Sequence, residues 1–246
     1  MGIAGRRHGR DPGALGMLIL GIDTASPQVG VAIGGHEGVL ASFHSARGRQ
    51  HAESVTPAIE FVCRQARISL REISCIAVDV GPGLFTGMRV GIATAKAIAS
   101  ALRVPMIGAA SLDLLAMPVR HSSRRIVSVL DAKRGEVFTA HYVSAPGGVQ
   151  RIGEYRCETP EELVIELQAE AESYLLVGDG ALRYRDVLSQ VESAEIAEQG
   201  LSMPSASALV QLAHSQALRE QWVNSWDLQP LYLRQPDAEI NWQERQ

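Results

Sequence analysis

The sequence predicts an α/β protein of two lobes, each a mixed β-sheet flanked by helices, with the second lobe reduced. Three observations carry this expectation. Apolar, β-branched runs alternate with helical spacing in the order β-β-β-α-β-α. The same order then begins again in shortened form. Finally, ILGIDTASPQVGVA (Ile19 to Ala32) aligns without a gap on VSVLDAKRGEVFTA (Val127 to Ala140), placing Asp23 on Asp131 and Val29 on Val137, with an apolar strand before each aspartate. Mixed sheets flanked by helices are the packing such an order produces. The lobes are expected at residues 17–119 and 120–246, after a flexible extension at 1–16.

Each element follows from its local pattern. From Met17, MLILGIDTASPQVGVAIGGHEGVLASFHS reads as three strands parted by turn residues, the last two joined as a hairpin at GGHEG. In QHAESVTPAIEFVCRQARI, Ala52, Val55, Ile59, Val62 and Ala66 recur at steps of three and four, which marks an amphipathic helix. Ser54 is expected to cap it, so that Pro57 falls in a first turn whose amides lack intrahelical partners. ISCIAVDV is a buried strand, and DVGPGLFTGMRVGIATAKAIASAL continues it into a glycine loop and a helix expected to be capped by Thr86. VPMIGA is a short strand. The second start brings strands at VSVLD, EVFTAHYV and GGVQRIGEY, a helix at TPEELVIELQAEA, the strand YLLVG and a helix near SASALVQLAHSQAL.

Composition narrows the function classes. With 246 residues, 46% of them apolar and 20% charged, the chain has material for a sizeable ordered core. A net charge of −4 argues against a general electrostatic grip on nucleic acid, which needs clustered Lys and Arg. Cys63, Cys75 and Cys157 are scattered, so they read as core fillers of a reducing compartment and not as a disulfide frame. No apolar run reaches the ~20 residues of a membrane span, and the opening MGIAGRRHGRDPGALG lacks the apolar segment of a signal peptide.

The motifs leave alternatives open. Asp23 and Thr24 at a strand end, with Asp131 as their repeat, could orient a phosphate or a metal, or could simply bond turn amides. GPGLFTG could be a phosphate loop before a helix N-terminus, yet it is neither GxGxxG nor GxxxxGK[ST]. It reads equally as a tight strand-to-helix connection through Gly81, Gly83 and Gly87. The following helix carries Arg89, Lys96 and Ser100 on a narrow stripe, and so has more apolar surface than one sheet covers. Either the second lobe roofs it or it forms an intermolecular interface. His51 lacks the second histidine one turn on that a helical metal pair needs, because position 55 is Val55.

ILGIDTA, RQHAESVTP, GPGLFTGMRVGIATAKAIA, VLDAKRGEVF and PLYLR, in that order from about Met17 to about Arg234, resemble the bacterial TsaB family of tRNA threonylcarbamoyladenosine biosynthesis proteins. The GPGxFTGxRxG segment is the specific part. The resemblance implies a duplicated actin-like (ASKHA, RNase H-like) fold and a cytoplasmic, non-catalytic subunit. Its partner TsaD, helped by the ATPase TsaE, transfers threonylcarbamoyl from its adenylate to the adenosine beside the anticodon of tRNAs reading codons that begin with A.

TsaD's metal site uses an HxxxH pair, and with Val55 in place of the second histidine no metal or catalytic site carries over. The implied partner surface is the first two helices, mapped here to Val55, Ile59, Val62, Ala66, Ile92, Ala95 and Ala99. The same patch could pair two free copies. The loop residues Gly81, Pro82, Gly83, Phe85, Thr86, Gly87 and Arg89 become a structural motif, and Asp23, Thr24 and Asp131 a vestigial phosphate site or hinge. No cofactor is expected beyond ATP or ADP at a complex interface, tRNA contact is expected to be indirect, and no membrane is involved. The alternative is an ATP-dependent small-molecule kinase of the same fold; a peptidase is a third reading, without a metal pair or GxSxG.

Overall fold

A computed structural model describes residues 16–46 and 51–234. The expected extension, Gly16 apart, and the tail from position 235 lie outside the described residues. The first half gives β1 (Ile19–Asp23), β2 (Val29–Gly35), β3 (Gly38–Ser45), α1 (His51–Ala66), β4 (Cys75–Asp79), α2 (Phe85–Leu102), β5 (Met106–Ala109) and the short α3 (Ser111–Ala116). The second gives β6 (Arg125–Lys133), β7 (Glu136–Ala145), β8 (Gly148–Glu158), α4 (Pro160–Ala169), β9 (Tyr174–Val177), α5 (Asp179–Arg183), α6 (Arg185–Leu188), β10 (Ala194–Ile196) and α7 (Ala206–Ala217).

The duplication is present strand for strand. One sheet runs β3-β2-β1-β4-β5 and the other, read from its far edge, β8-β7-β6-β9-β10. In each, three antiparallel strands form a meander and two more add in parallel to the first. The reduction of the second lobe falls on its helices: α4 has 10 residues against 16 in α1, and α5 has 5 against 18 in α2.

Strand periodicity sorts the first sheet's side chains to two faces. Leu20, Ile22, Ile76 and Val78 meet α1 and α2, whereas Ile19, Cys75, Ala77 and Ile107 meet Leu209, Val210 and Ala213 of α7. Thus α7, from beyond the sequence division at 120, closes the first sheet. Reciprocally, α3 leaves the first half to cover the second sheet, its Leu112, Leu115 and Ala116 packing on Ile126, Leu130 and Phe138. The Asp113 carboxylate fastens α3 by accepting from Tyr142 Oη at 2.7 Å and Tyr155 Oη at 2.9 Å. The two halves therefore exchange a helix, and the boundary in space is not the boundary in sequence.

Three expectations need correcting. Val55, Ile59, Val62, Ala66, Ile92, Ala95 and Ala99 do not form an outer surface: all are buried in the core under the first sheet, none more than 7% exposed. Two helices side by side on one sheet face cover each other's flanks as well as the sheet, so the buried stripe is wider than for a lone surface helix. Second, α1 begins at His51, three residues before Ser54, which leaves Pro57 inside the helix on its exposed side. Third, Thr86 does not cap α2. The cap position is Leu84, without a side-chain bond, and its amide instead donates to the Ala25 carbonyl at 2.6 Å.

Candidate functional site

The candidate site is the cleft between the sheets, and it is built from strand ends. β1 and β4 are adjacent and parallel, with Ile22 beside Val78, so Asp23 and Asp79 end side by side. Asp23 accepts from the Ala25 amide at 3.2 Å. Asp79 accepts from the Gly81 amide at 2.7 Å and from Ser111 Oγ at 2.7 Å, tying β4 to α3. Burial lifts both carboxyls, Asp23 to about 6 and Asp79 well above the usual range, where the neighbouring Asp23 charge adds to the effect. Each carboxyl thus bears on the ionisation of the other.

The repeat rebuilds this pair in the second lobe. Asp131 near the end of β6 and Asp179 just after β9 meet where the Asp131 amide donates to Asp179 Oδ1 at 3.0 Å. Burial pulls the Asp131 carboxyl up, but hydrogen bonds and charge from Lys133, with the Arg183 charge, outweigh it and hold the group low. Lys133 Nζ lies 2.6 Å from Asp131 Oδ2.

The glycine loop packs against the turn after β1, where the Leu84 amide donates to the Ala25 carbonyl. Thr24 Oγ1 donates to the Gly87 carbonyl at 2.7 Å. A Cβ on Gly87 would fall 2.1 Å from the Thr24 carbonyl oxygen, so only glycine lets α2 approach β1 this closely. His51 is buried and its Nε2 donates to the Ser26 carbonyl at 2.9 Å, which makes it a strut under the β1–β2 loop, with Val55 in the core one turn on.

The PLYLR segment closes the cleft. The Leu231 amide donates to the Val80 carbonyl at 2.7 Å. Tyr232 stacks on Phe85 at 5.4 Å between ring centroids, and Arg89 holds both, donating from Nε to Tyr232 Oη at 3.0 Å with its guanidinium 3.8 Å above the Phe85 ring. Arg234 pairs with Glu136 at 2.8 Å. What remains is a cavity of 360 Å³ walled largely by Leu84, Phe85, Met88, Leu130, Phe138 and Tyr232, with Asp131 and Asp179 beneath. Such walls suit an apolar group. A polyphosphate would meet carboxylates there, and Lys133 and Arg234 are already engaged by acids.

Of the expected residues, Pro82, Gly83, Phe85 and Asp131 line this cleft; Asp23, Thr24, Gly81 and Gly87 are buried and do not line it, Arg89 reaches it through Phe85 and Tyr232, and Thr86 faces solvent on α2. Sequence reasoning named neither Asp79 nor Ser111 as a site residue, and it read the VGDGALRY turn that holds Asp179 as an adenosine-binding remnant or a plain turn without pairing Asp179 with Asp131. The signal was an aspartate at or just beyond the end of each strand parallel to a repeat strand, in AVDVGPG and LLVGDG.

A second surface lies outside the cleft. Ala93, Ala97 and Ala101 are exposed on α2 at steps of four, so they form one stripe. On the neighbouring α1, Phe61 is 36% exposed and packs edge-on against Phe43 at 5.9 Å.

The family model for TsaD, tRNA N6-adenosine threonylcarbamoyltransferase, matches residues 39–242. The chain is 28% identical over 221 residues to the tRNA threonylcarbamoyladenosine biosynthesis protein TsaB of Escherichia coli, spanning 89% of this chain and 95% of that one. A solved protein of Pseudomonas aeruginosa, described as uncharacterized with similarity to peptidase YeaZ, has a TM-score of 0.79 at 26% identity over 89% of this chain and 100% of its own. A ROK hexokinase of Thermus thermophilus has a TM-score of 0.50 at 11% identity over 83% of this chain and 100% of its own, a likeness of fold alone. The architecture is accordingly the duplicated actin-like one that the repeat and the resemblance anticipated.

Proposed function

This chain belongs to the TsaD family, matches TsaB proteins along nearly its whole length, and on that footing we propose that it is a non-catalytic subunit of tRNA threonylcarbamoyladenosine biosynthesis. It binds and activates a TsaD-type catalytic partner together with TsaE, supporting transfer of threonylcarbamoyl from its adenylate to the anticodon-adjacent adenosine. The reaction's tRNA substrate places it in the cytoplasm. No helix among the described residues is long and apolar enough to cross a membrane.

One observation carries the partner-binding part: the alanine stripe of α2. Small side chains at Ala93, Ala97 and Ala101 leave the helix backbone open to close approach by another helix, and the chain's own core lies on the opposite side. The interface is thus assigned to the outward residues of the same two helices, not to the seven buried ones. A free chain could pair with a copy of itself through this stripe, since a two-fold contact needs only one self-complementary surface.

His51, as a buried strut beside core Val55, supports an accessory role, because it is spent on the loop. The apolar, acid-floored cleft weighs against the kinase reading. The test is co-expression with the same organism's TsaD and TsaE, followed by size-exclusion chromatography and a tRNA modification assay. Ala97→Glu should abolish co-elution and modification while the isolated chain keeps its Tm. Co-elution at wild-type affinity would rule out the stripe as the interface.

A further inference from the structure

A second crevice, sharing no lining residue with the cleft, has a different chemistry. It encloses 380 Å³ and exists because the two halves exchange a helix. The β2–β3 turn contributes His36, the segment after α3 contributes Arg120 and His121, and α7 contributes Gln211, His214 and Ser215 at steps of three and four on one helix face. The glycines of the β2–β3 and β7–β8 turns complete it. In a chain with a net charge of −4, no Asp or Glu is among its lining residues.

The groups are held in place by the fold. Arg120 Nη1 donates to the Met117 carbonyl at 3.0 Å, and Ser215 Oγ donates to the Gly147 carbonyl at 3.1 Å, pinning α7 to the β7–β8 turn. At the rim Arg219 Nη2 donates to the Pro146 carbonyl at 3.4 Å. The rings of His36 and His214 stand 6.3 Å apart and tilted by 44°. No three His, Cys, Asp or Glu among the described residues converge as metal ligands. A guanidinium, three imidazoles and an amide, without a carboxylate, therefore form a set of donors suited to a polyatomic oxyanion, with Ser215 spent on holding the turn.

We propose that this crevice binds a backbone phosphate of RNA. The anion chemistry stands on the crevice alone; the choice of RNA as its source rests on the proposed role in tRNA modification. His36 and His121 are exposed at the mouth, so a polymer can reach the donors without entering an enclosed pocket. Phosphate contacts of this kind position an RNA without reading its sequence.

The test measures binding of an unmodified tRNA transcript to the full chain by fluorescence anisotropy over a series of KCl concentrations. Wild type is compared with His36→Gln, His214→Gln and Arg120→Gln, with inorganic phosphate as competitor and Tm as the folding control. The expected result is that each variant keeps its Tm and binds about fivefold more weakly, and that Arg120→Gln, which removes the crevice's permanent cation, also lowers the salt slope by about one. Phosphate should displace the RNA from wild type. His36→Gln, on an exposed turn, serves if Arg120→Gln fails to fold. The proposal is overturned if wild type binds no tRNA, if affinity and slope are unchanged in the folded variants, or if the variants lose only inorganic phosphate and hold RNA as before. The modification assay separates the two readings: variants with unchanged RNA binding beside a wild type that supports modification sink only the crevice, whereas weakened RNA binding beside a wild type that does not support modification sinks only the role.

Discussion

Asp23 and Asp79, both buried at the strand ends, make the stability of the fold depend on pH. An isolated strand-end aspartate titrates near 3.8, and burial holds Asp23 at about 6 and Asp79 well above its usual range. The folded chain therefore holds more protons at these two groups than the unfolded one above about pH 4, and the part of its stability that comes from Asp23 is lost as pH rises through the window from about 4 to 6. For Asp23 alone the shift of about two units corresponds to a ceiling of about 3 kcal/mol. Asn at 23 can still accept from the Ala25 amide and carries no charge. We expect Asp23→Asn to raise Tm at pH 7.5 and to lose part of the wild-type decline between pH 4 and 6, as read by differential scanning fluorimetry. Parallel pH profiles for the two proteins would refute the buried pair as the cause. Asp23 was legible in the sequence as a strand-end aspartate, but Asp79, 56 positions on, became its partner only through the pairing of β1 with β4.

At the scale of elements, α2 shows where pattern reading loses its phase. Alanines stand at 93, 95, 97, 99 and 101, and a helix that is apolar nearly all round gives no moment to say which of them face inward. Packing decides: Ala95 and Ala99 lie under the sheet, while Ala93, Ala97 and Ala101 face out. A charge at the two kinds of site should act differently. Ala95→Arg or Ile59→Glu would bury an unpaired charge and unfold the chain at ambient temperature, whereas Ala97→Glu should shift Tm by little. Circular dichroism melts of the three variants distinguish these outcomes, and a folded Ala95→Arg would contradict the assigned phase. Gly87 is the matching constraint at the start of α2. With Thr24 so close, Gly87→Ala should cost about 2 kcal/mol or more in urea unfolding, through displacement of α2 from β1. A loss below about 0.5 kcal/mol would mean that the loop has room the structure does not show.

Across the whole molecule, the exchange of α3 and α7 makes the halves interdependent. Leu209 is fully buried on the first sheet although it lies 190 positions after Ile19. Leu209→Ala should destabilise the chain by about 2–5 kcal/mol, and a fragment of residues 17–119 should fail to fold, since Ile19, Ala77 and Ile107 would face water. A well-dispersed NMR spectrum from that fragment would overturn this account. The RNA-facing crevice and the apolar cleft both depend on the same exchange.

The sequence by itself determined the duplication, the strand runs, the amphipathic course of α1 and the family, because each is written in short-range period or in contiguous motifs. Only the tertiary structure decided which helix covers which sheet, which alanines face out, and how Asp79 and Ser111 join Asp23. Those outcomes depend on contacts between residues tens to nearly two hundred positions apart, and local periodicity carries no record of such distances.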